Sequence, residues 1–385
     1  MNIIKKIQKR QKRKKLMKQK AKLAQEQAAQ EGAYRGKSSH HRRISKNGKK
    51  VIAVAAVVAA VCLVFLFVEK RSYHSYKVLN TSEQEDVVST QYVEMDGDIL
   101  RYSPDGVSVV DGSMNTVWNE TYTMQNPIAD VNGSKAVIAD SEGTSLYICD
   151  KKGITGTVTT SYSIVKVRVA ANGMVAAILD NDENTWINFY NPDGSLVAEN
   201  LTKIDDPGYP LDVAVSDSGD IMMVAYQFVD GSETTSYVAF YNFGDVGQSE
   251  DDRIVSGYTY DGVVIPQIMY LDGDRSAAIR DDGFTLYKGS QIPKEVETIK
   301  VDKEIVSTFY DDNIIGLVFK NGDKDKPYTM RVYSTDGRLK FEKKFNIPYT
   351  TIKASGGNIL LYNSSQISVM NSRGVEKYSG TVDGT

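Results

Sequence analysis

The chain has one long apolar stretch and, after it, many short ones. The long stretch runs from Val51 to Val68, VIAVAAVVAAVCLVFLFV, and carries no charged side chain. At about 1.5 Å per residue it would form a helix of roughly 27 Å, close to the ~30 Å hydrocarbon core of a bilayer. Lys49 and Lys50 precede it and Glu69 follows it. The stretch therefore predicts one transmembrane helix, with the lipid bilayer as its partner.

Charge is distributed unevenly on the two sides of this stretch. Residues 1–50 contain 18 Lys and Arg against only Glu26 and Glu31, whereas residues 51–385 contain 28 basic and 47 acidic residues. Basic flanks are retained on the cytoplasmic side of a membrane. We therefore expect a cytoplasmic N-terminus and an extracellular C-terminal domain.

A cleaved signal peptide and a lipoprotein signal are the alternatives to this assignment. The basic region is much longer than that of a signal peptide, and the apolar stretch ends Leu66-Phe67-Val68-Glu69 without a small-x-small cleavage site. Apolar residues also continue past Cys62, which disfavours lipidation there. These features favour an uncleaved signal anchor.

The basic tail, residues 1–50, has the composition of a helix without a packing face. Residues 3–30 lack Gly and Pro and are rich in Lys, Gln, Arg and Ala, but their apolar residues form no continuous stripe. The anionic inner leaflet is the expected partner, at about 1 kcal/mol per basic residue near the surface; a role in topology alone is equally compatible. Only Tyr34 is available for base stacking, which makes nucleic acid unlikely. We expect residues 31–48 to be a flexible linker and residues 69–89 a juxtamembrane stretch.

Short strand-like segments recur from residue 90 to the end. Each unit has an alternating strand, a turn at Gly or Asn, a nearly all-apolar strand, and a third strand ending in another turn. The clearest copy, Ile164 to Gly194, reads IVKVRVAANG, MVAAILDNDEN and TWINFYNPDG. The residues at the first turn of each unit are Gly97, Gly133, Gly173, Gly219, Gly273, Asn313 and Gly357.

These turn residues are 36 to 54 residues apart, which is typical of a four-stranded propeller blade. We therefore predict an all-β fold over residues 90–385, a β-propeller of seven or eight blades, with the most apolar strand of each blade innermost. The longest spacing contains an insertion, Gly244 to Gly262, which we expect to be an irregular loop. The closing strand could come from Lys377 to Val382 or from Tyr92 to Met95, or the chain as given could lack a last blade.

The predicted propeller offers little catalytic chemistry. The histidines are His40, His41 and His74, all before residue 90, which argues against Ser-His-Asp catalysis and His-ligated metals. Cys149 ends an alternating strand and is predicted to be packed. Asp180 to Asn184 resembles a calcium loop, and Asp281 to Thr285 resembles the Asp-box turn of sialidases. Both lack residues of those motifs, so we predict structural turns, and no catalytic, cofactor-binding or metal residue.

The repeats, the apolar stretch and the basic tail together resemble an uncharacterised family of single-pass propeller proteins from anaerobic Gram-positive bacteria. The matching stretches are Leu100 to Gly106 (LRYSPDG), Val117 to Asn119 (VWN), Gly208-Tyr209-Pro210, Phe240 to Gly247 (FYNFGDVG) and Tyr333 to Gly337 (YSTDG). The resemblance implies a membrane-anchored propeller at the cell surface, with repeats similar to those of WD40 and quinoprotein propellers. It implies no activity.

These observations favour a binding or scaffold module for an extracytoplasmic protein or cell-envelope polymer. The alternative is a carbohydrate-active enzyme that uses two carboxylates about 5 to 9 Å apart. A third hypothesis makes the basic tail the active part and the propeller its sensor.

Overall fold

A computed structural model describes residues 13–27, 29, 46–78, 89–203, 207–231 and 233–381, without the side chains of residues 46–53. The chain divides into two compact units, Met1–Glu69 and Lys70–Thr385. The first unit contains helix α1 (residues 13–27) and nearly all of helix α2 (Lys46–Lys70). Helix α1 lies within the segment that the composition predicts to be helical.

Helix α2 contains the long apolar stretch, but the predicted transmembrane span is not supported. Over the residues described here, no helix combines the length and the apolar character needed to cross a membrane.

The second unit consists of seven four-stranded antiparallel sheets, each built from four consecutive strands. Blade 1 is β1 (Gln91–Met95), β2 (Asp98–Ser103), β3 (Gly106–Val110) and β4 (Thr116–Thr121); blade 2 is β5 (Pro127–Asn132), β6 (Lys135–Asp140), β7 (Ser145–Asp150) and β8 (Gly153–Thr159). Blade 3 is β9 (Ser163–Val169), β10 (Val175–Asp180), β11 (Thr185–Tyr190) and β12 (Leu196–Thr202); blade 4 is β13 (Tyr209–Val215), β14 (Ile221–Asp230), β15 (Glu233–Asn242) and β16 (Ile254–Asp261). Blade 5 is β17 (Gln267–Tyr270), β18 (Arg275–Arg280), β19 (Gly283–Lys288) and β20 (Lys294–Lys300); blade 6 is β21 (Ile305–Asp311), β22 (Ile314–Lys320), β23 (Tyr328–Ser334) and β24 (Leu339–Phe345). Blade 7 is β25 (Thr351–Ser355), β26 (Asn358–Tyr362), β27 (Gln366–Asn371) and β28 (Glu376–Thr381).

The predicted propeller is confirmed, with seven blades rather than eight, and each first-turn residue lies between the first and second strand of its blade. The position of the most apolar strand was predicted wrongly. The first strands contact those of neighbouring blades, as β5 does with β9 and β9 with β13, and so surround the axis. The apolar strand is second from the axis.

The second strand is apolar throughout because a neighbouring blade covers each of its faces. In β10, Ala176 and Ile178 pack with Val213 of blade 4. Ala177 and Leu179, on the opposite face, pack with residues of blade 2. Burying a side chain such as that of Ile178 or Leu179 contributes about 1.5 to 3 kcal/mol, so interblade packing stabilises the ring.

Blade 7 is completed by its own last strand. The segment Lys377 to Val382, one of the two candidates for closure, provides β28 up to Thr381, and β28 pairs with β27. The other candidate, Tyr92 to Met95, belongs to β1 and pairs with β2 in blade 1. Residues of the juxtamembrane stretch lie along β28: the Tyr73 N–H donates to the Lys377 carbonyl at 2.6 Å.

Candidate ligand-binding groove

The two acidic segments singled out in the sequence form hairpin turns, as predicted. Asp180 ends β10, and its Oδ1 accepts the Asp182 N–H at 2.7 Å. In the second turn, Arg280 donates to both carboxylate oxygens of Asp282, at 2.6 and 3.0 Å. Burial opposes ionisation of Asp282, but these bonds outweigh it and lower its pKa. In the described part of the chain, no group of three acidic, Cys or His side chains is arranged to hold a metal.

Cys149 lies in β7 and is buried, which confirms that it is packed. Burial raises the pKa of its thiol to about 12, and the neighbouring Asp150 carboxylate acts in the same direction. The thiolate is therefore suppressed at neutral pH, and Cys149 is not a nucleophile in the folded protein.

Blade 4 departs from the repeat in two places. Strands β14 and β15 have ten residues each, whereas their counterparts in the other blades have five to seven. The insertion after β15 forms two 3₁₀ turns, Gly247–Ser249 and Asp251–Arg253, and then β16. The prediction of an irregular loop over Gly244 to Gly262 is therefore wrong for its second half. Alternating side chains there, such as Tyr258 and Tyr260, pack towards blade 5 and hold a regular strand.

A groove of about 540 Å³ opens between β12 of blade 3 and blade 4. It adjoins a smaller cavity of about 200 Å³, with which it shares Asn200, Tyr241 and Asp252. The side chains that line the larger part are Asn200, Leu201, Pro207, Phe228, Tyr237, Tyr241, Asp252, Ile254 and Thr259. The long hairpin supplies Phe228 and Tyr237, and the insertion supplies Asp252. Both departures of blade 4 therefore line one groove.

Tyrosines hold the floor of the groove in a fixed arrangement. The hydroxyl groups of Tyr241 and Tyr226 are hydrogen-bonded at 2.7 Å, and the Asn200 amide donates to Tyr241 at 3.5 Å. The ring of Tyr237 stacks on Tyr226 with 6.2 Å between centroids. Burial raises the pKa of Tyr241 to about 12, so it is a neutral hydrogen-bonding group at physiological pH.

The insertion forms one edge of the groove with a strained backbone. Asp252 and Arg253 have φ of +53° and +62°, a left-handed conformation that is costly for residues other than Gly. The Arg253 guanidinium lies 5.6 Å from the centre of the Phe243 ring, and Phe243 packs on Phe189 of blade 3. These contacts hold the turn in place and leave the Asp252 carboxylate exposed at the groove.

The central channel contains a second polar cluster. The buried Asp212 accepts hydrogen bonds from Arg168 at 3.2 Å and from the Ile268 N–H at 2.9 Å, and it pairs with Lys166 at 3.2 Å. Asp130 accepts the Val169 N–H at 2.8 Å. These bonds join the first strands of blades 2 to 5 around a cavity of about 170 Å³. The carboxylates of Asp212 and Asp130 are held by these partners, so the cluster joins blades, whereas the Tyr270 hydroxyl, which also lines the cavity, is buried without a hydrogen-bond partner among the residues that the structure describes.

The fold and the groove together define a seven-bladed β-propeller with a groove between blades 3 and 4. The chain belongs to the family of unknown function DUF5711, whose model matches residues 69–385. No curated protein sequence matches the chain.

Solved structures with a similar fold share little sequence with this chain. BamB from Moraxella catarrhalis is 12% identical with a TM-score of 0.45, over 77% of this chain and 88% of that one. Kluyveromyces lactis Hsv2 is 11% identical with a TM-score of 0.46, over 74% and 93%. Saccharomyces cerevisiae Sqt1 is 12% identical with a TM-score of 0.47, over 74% and 82%. These likenesses concern the fold alone.

Proposed function

We propose that this propeller is a binding module and that the groove between blades 3 and 4 is its ligand site. The main evidence for this proposal is that the long hairpin and the insertion of blade 4 line the same groove. The other six blades are built without either feature, so propeller architecture does not require them. A ligand site accounts for both.

The lining of the groove suits a ligand with both apolar and polar groups. Tyr237 and Phe228 offer aromatic surface, while the Asn200 amide and the Asp252 carboxylate offer hydrogen bonds. Ligand sites are typically concave, of about 300 to 1,000 Å³, with a few polar groups that orient the ligand. We therefore infer that an elongated segment of a protein or envelope polymer binds along the groove.

Carbohydrate hydrolysis is less well supported. Glu199 and Asp252 both border the smaller cavity, but the Glu199 carboxylate accepts the Asn188 amide at 3.2 Å on the face of blade 3 that packs on blade 2. The two carboxylates therefore do not form a catalytic pair in the groove. The channel carboxylate Asp212 is also unsuited to this chemistry, because its side chain is only 1% exposed and is held by Lys166 and Arg168.

Site-specific photo-crosslinking tests the binding function. A photoreactive residue replaces Thr259, at the exposed edge of the groove, or Val296, which is exposed on the outer strand of blade 5. We expect a discrete adduct in cells from position 259, none from position 296, and loss of the adduct when Tyr237→Ala is added. Equal adducts at both positions, or none at position 259, would contradict the proposal.

We also propose that the propeller faces the outside of the cell membrane. The support lies in the sequence: the uncharged stretch Val51 to Val68 would contact lipid, and the 18 basic residues of the tail favour retention at the anionic inner leaflet. The acidic propeller would then meet extracytoplasmic partners.

A further inference from the structure

The outer strand of blade 3 has an open edge beside the groove. Strand β12 pairs with β11 on one side, and no strand within the described ranges pairs with its other side. An open edge presents a row of backbone N–H and C=O groups that can pair with another chain. Asn200 and Leu201 of β12 also line the groove, so the edge and the groove are continuous.

Among the outer strands, β12 carries the most exposed apolar surface. Leu196, Val197 and Leu201 are 54%, 38% and 46% exposed, and among the described side chains no other outer strand has more than one large apolar residue classed as exposed. The sequence of β12, LVAENLT, contains one charge, Glu199, and no Lys or Arg.

In two other outer strands, charged side chains protect the open edge against pairing with another strand. Charged residues occupy four of the seven positions in β20 (KEVETIK) and four of the seven in β24 (LKFEKKF). Charged side chains, Lys above all, discourage edge-to-edge association. Strands β4, β8 and β16 also lack Lys and Arg, so the exposed apolar surface is what distinguishes β12 as an edge that accepts a partner strand.

We propose that β12 binds an extended peptide segment of a partner protein by strand addition, with apolar residues alternating with Lys or Arg. The proposal rests on the groove's function as a ligand site. A strand added at about 4.8 Å from β12 pairs with its backbone and directs alternate side chains towards the groove. The Asp252 carboxylate, which is exposed at the groove, complements a basic residue of the added strand, which is why the sign of the partner's charge is specified.

The test measures, by fluorescence anisotropy, the binding of a blocked hexapeptide of alternating Val and Lys to the purified full-length protein. The control peptide has the same sequence with N-methyl groups on alternate residues, which remove the N–H donors of one edge without changing charge. We expect the N-methylated peptide to bind at least tenfold more weakly. Equal binding of both peptides would overturn the proposal, since it would show simple attraction to an acidic surface.

Matched substitutions locate the site on β12. Val197→Lys and, separately, Leu201→Lys should weaken peptide binding at least tenfold, whereas Val296→Lys on β20 should leave it unchanged. All three positions are exposed, so thermal melting should be unaltered. Weakening by Val296→Lys to the same degree would overturn the proposal. The proposal would also be overturned if the protein alone formed a dimer that Val197→Lys dissociates, because β12 would then pair with a second copy of the chain.

Failure of strand addition can be separated from failure of the groove's function. If neither peptide binds but the position 259 adduct still forms, strand addition is wrong and the groove remains a ligand site. If that adduct is also absent, both proposals are wrong. An adduct that contains glycan rather than peptide would likewise support the groove as a ligand site, but it would overturn strand addition.

Discussion

The ring of Tyr237 lies against the α-carbon of Gly257 on the neighbouring strand β16. A β-carbon at position 257 would overlap the Tyr237 hydroxyl, so the missing side chain is what lets the ring reach this place at the groove wall. Gly257→Ala should displace Tyr237, destabilise the protein by roughly 1 to 3 kcal/mol because of overpacking, and weaken the adduct at position 259. Chemical unfolding and photo-crosslinking would measure the two effects.

Gly322→Ala is the matched control, since nothing lies within 4 Å of a β-carbon at that position. Its free energy of unfolding should stay within about 0.5 kcal/mol of the wild type. If Gly257→Ala behaves like the control in both measurements, Gly257 has no role in shaping the groove.

Asp212→Ala should destabilise the propeller by about 3 kcal/mol. The substitution leaves Arg168 and Lys166 without their shared carboxylate and removes the acceptor of the Ile268 N–H. Urea unfolding would measure the loss. Asp336→Ala, which breaks the exposed pair with Arg338, is the control and should change stability little. A small effect of Asp212→Ala would show that the channel cluster does not join the blades.

The pH dependence of stability should change in Asp130→Asn. Burial raises the pKa of the Asp130 carboxyl above its ordinary 3.8, and this effect outweighs the favourable Arg168 charge. The folded state then binds this proton more tightly than the unfolded state. The contribution of Asp130 to stability is therefore greatest below pH 3.8 and is lost as the pH rises through the folded pKa.

Unfolding of both proteins from pH 3 upwards would measure this effect. The free energy of unfolding of the wild type relative to Asp130→Asn should fall as the pH rises. A relative stability that rises with pH would mean that the channel favours the ionised carboxylate.

The proposed location predicts which thiols react on intact cells. With Cys62→Ser in place, Cys149 should resist an impermeant maleimide until the protein is denatured, because the thiol is buried and its pKa is raised to about 12. Thr259→Cys, at an exposed position, should react without denaturant. A cysteine at Ser38 of the tail should react only after lysis. Reaction at position 259 that also requires lysis would contradict an extracytoplasmic propeller.

Much of the fold could be predicted because each blade repeats a local pattern. The turn residue Gly219 and the apolar run Ile221 to Ala225 are signals within a few residues of each other. The radial order was harder to predict. The sequence of β10 indicates burial on both faces, but burial between two blades leaves the same pattern as burial around an axis. The pattern alone therefore does not reveal that the first strand of each blade is innermost.

The groove could not be assembled from sequence because its residues come from separate strands. Asn200 and Asp252 are far apart along the chain and meet only when blades 3 and 4 pack face to face. One signal did point to the region: the longest repeat spacing contains the insertion. The strand Ile254 to Asp261 was missed because Ser256 and Gly257 interrupt its apolar alternation.

Hydrogen exchange of the full-length protein, with and without an extract of its own cell envelope, tests the central claim most directly. A ligand in the groove should slow exchange in residues 196–203 and 252–259. It should leave residues 294–300, on the outer strand of blade 5, unchanged, and Tyr237→Ala should remove the protection. Protection confined to the turns around the central channel, or none that depends on Tyr237, would contradict a ligand site between blades 3 and 4.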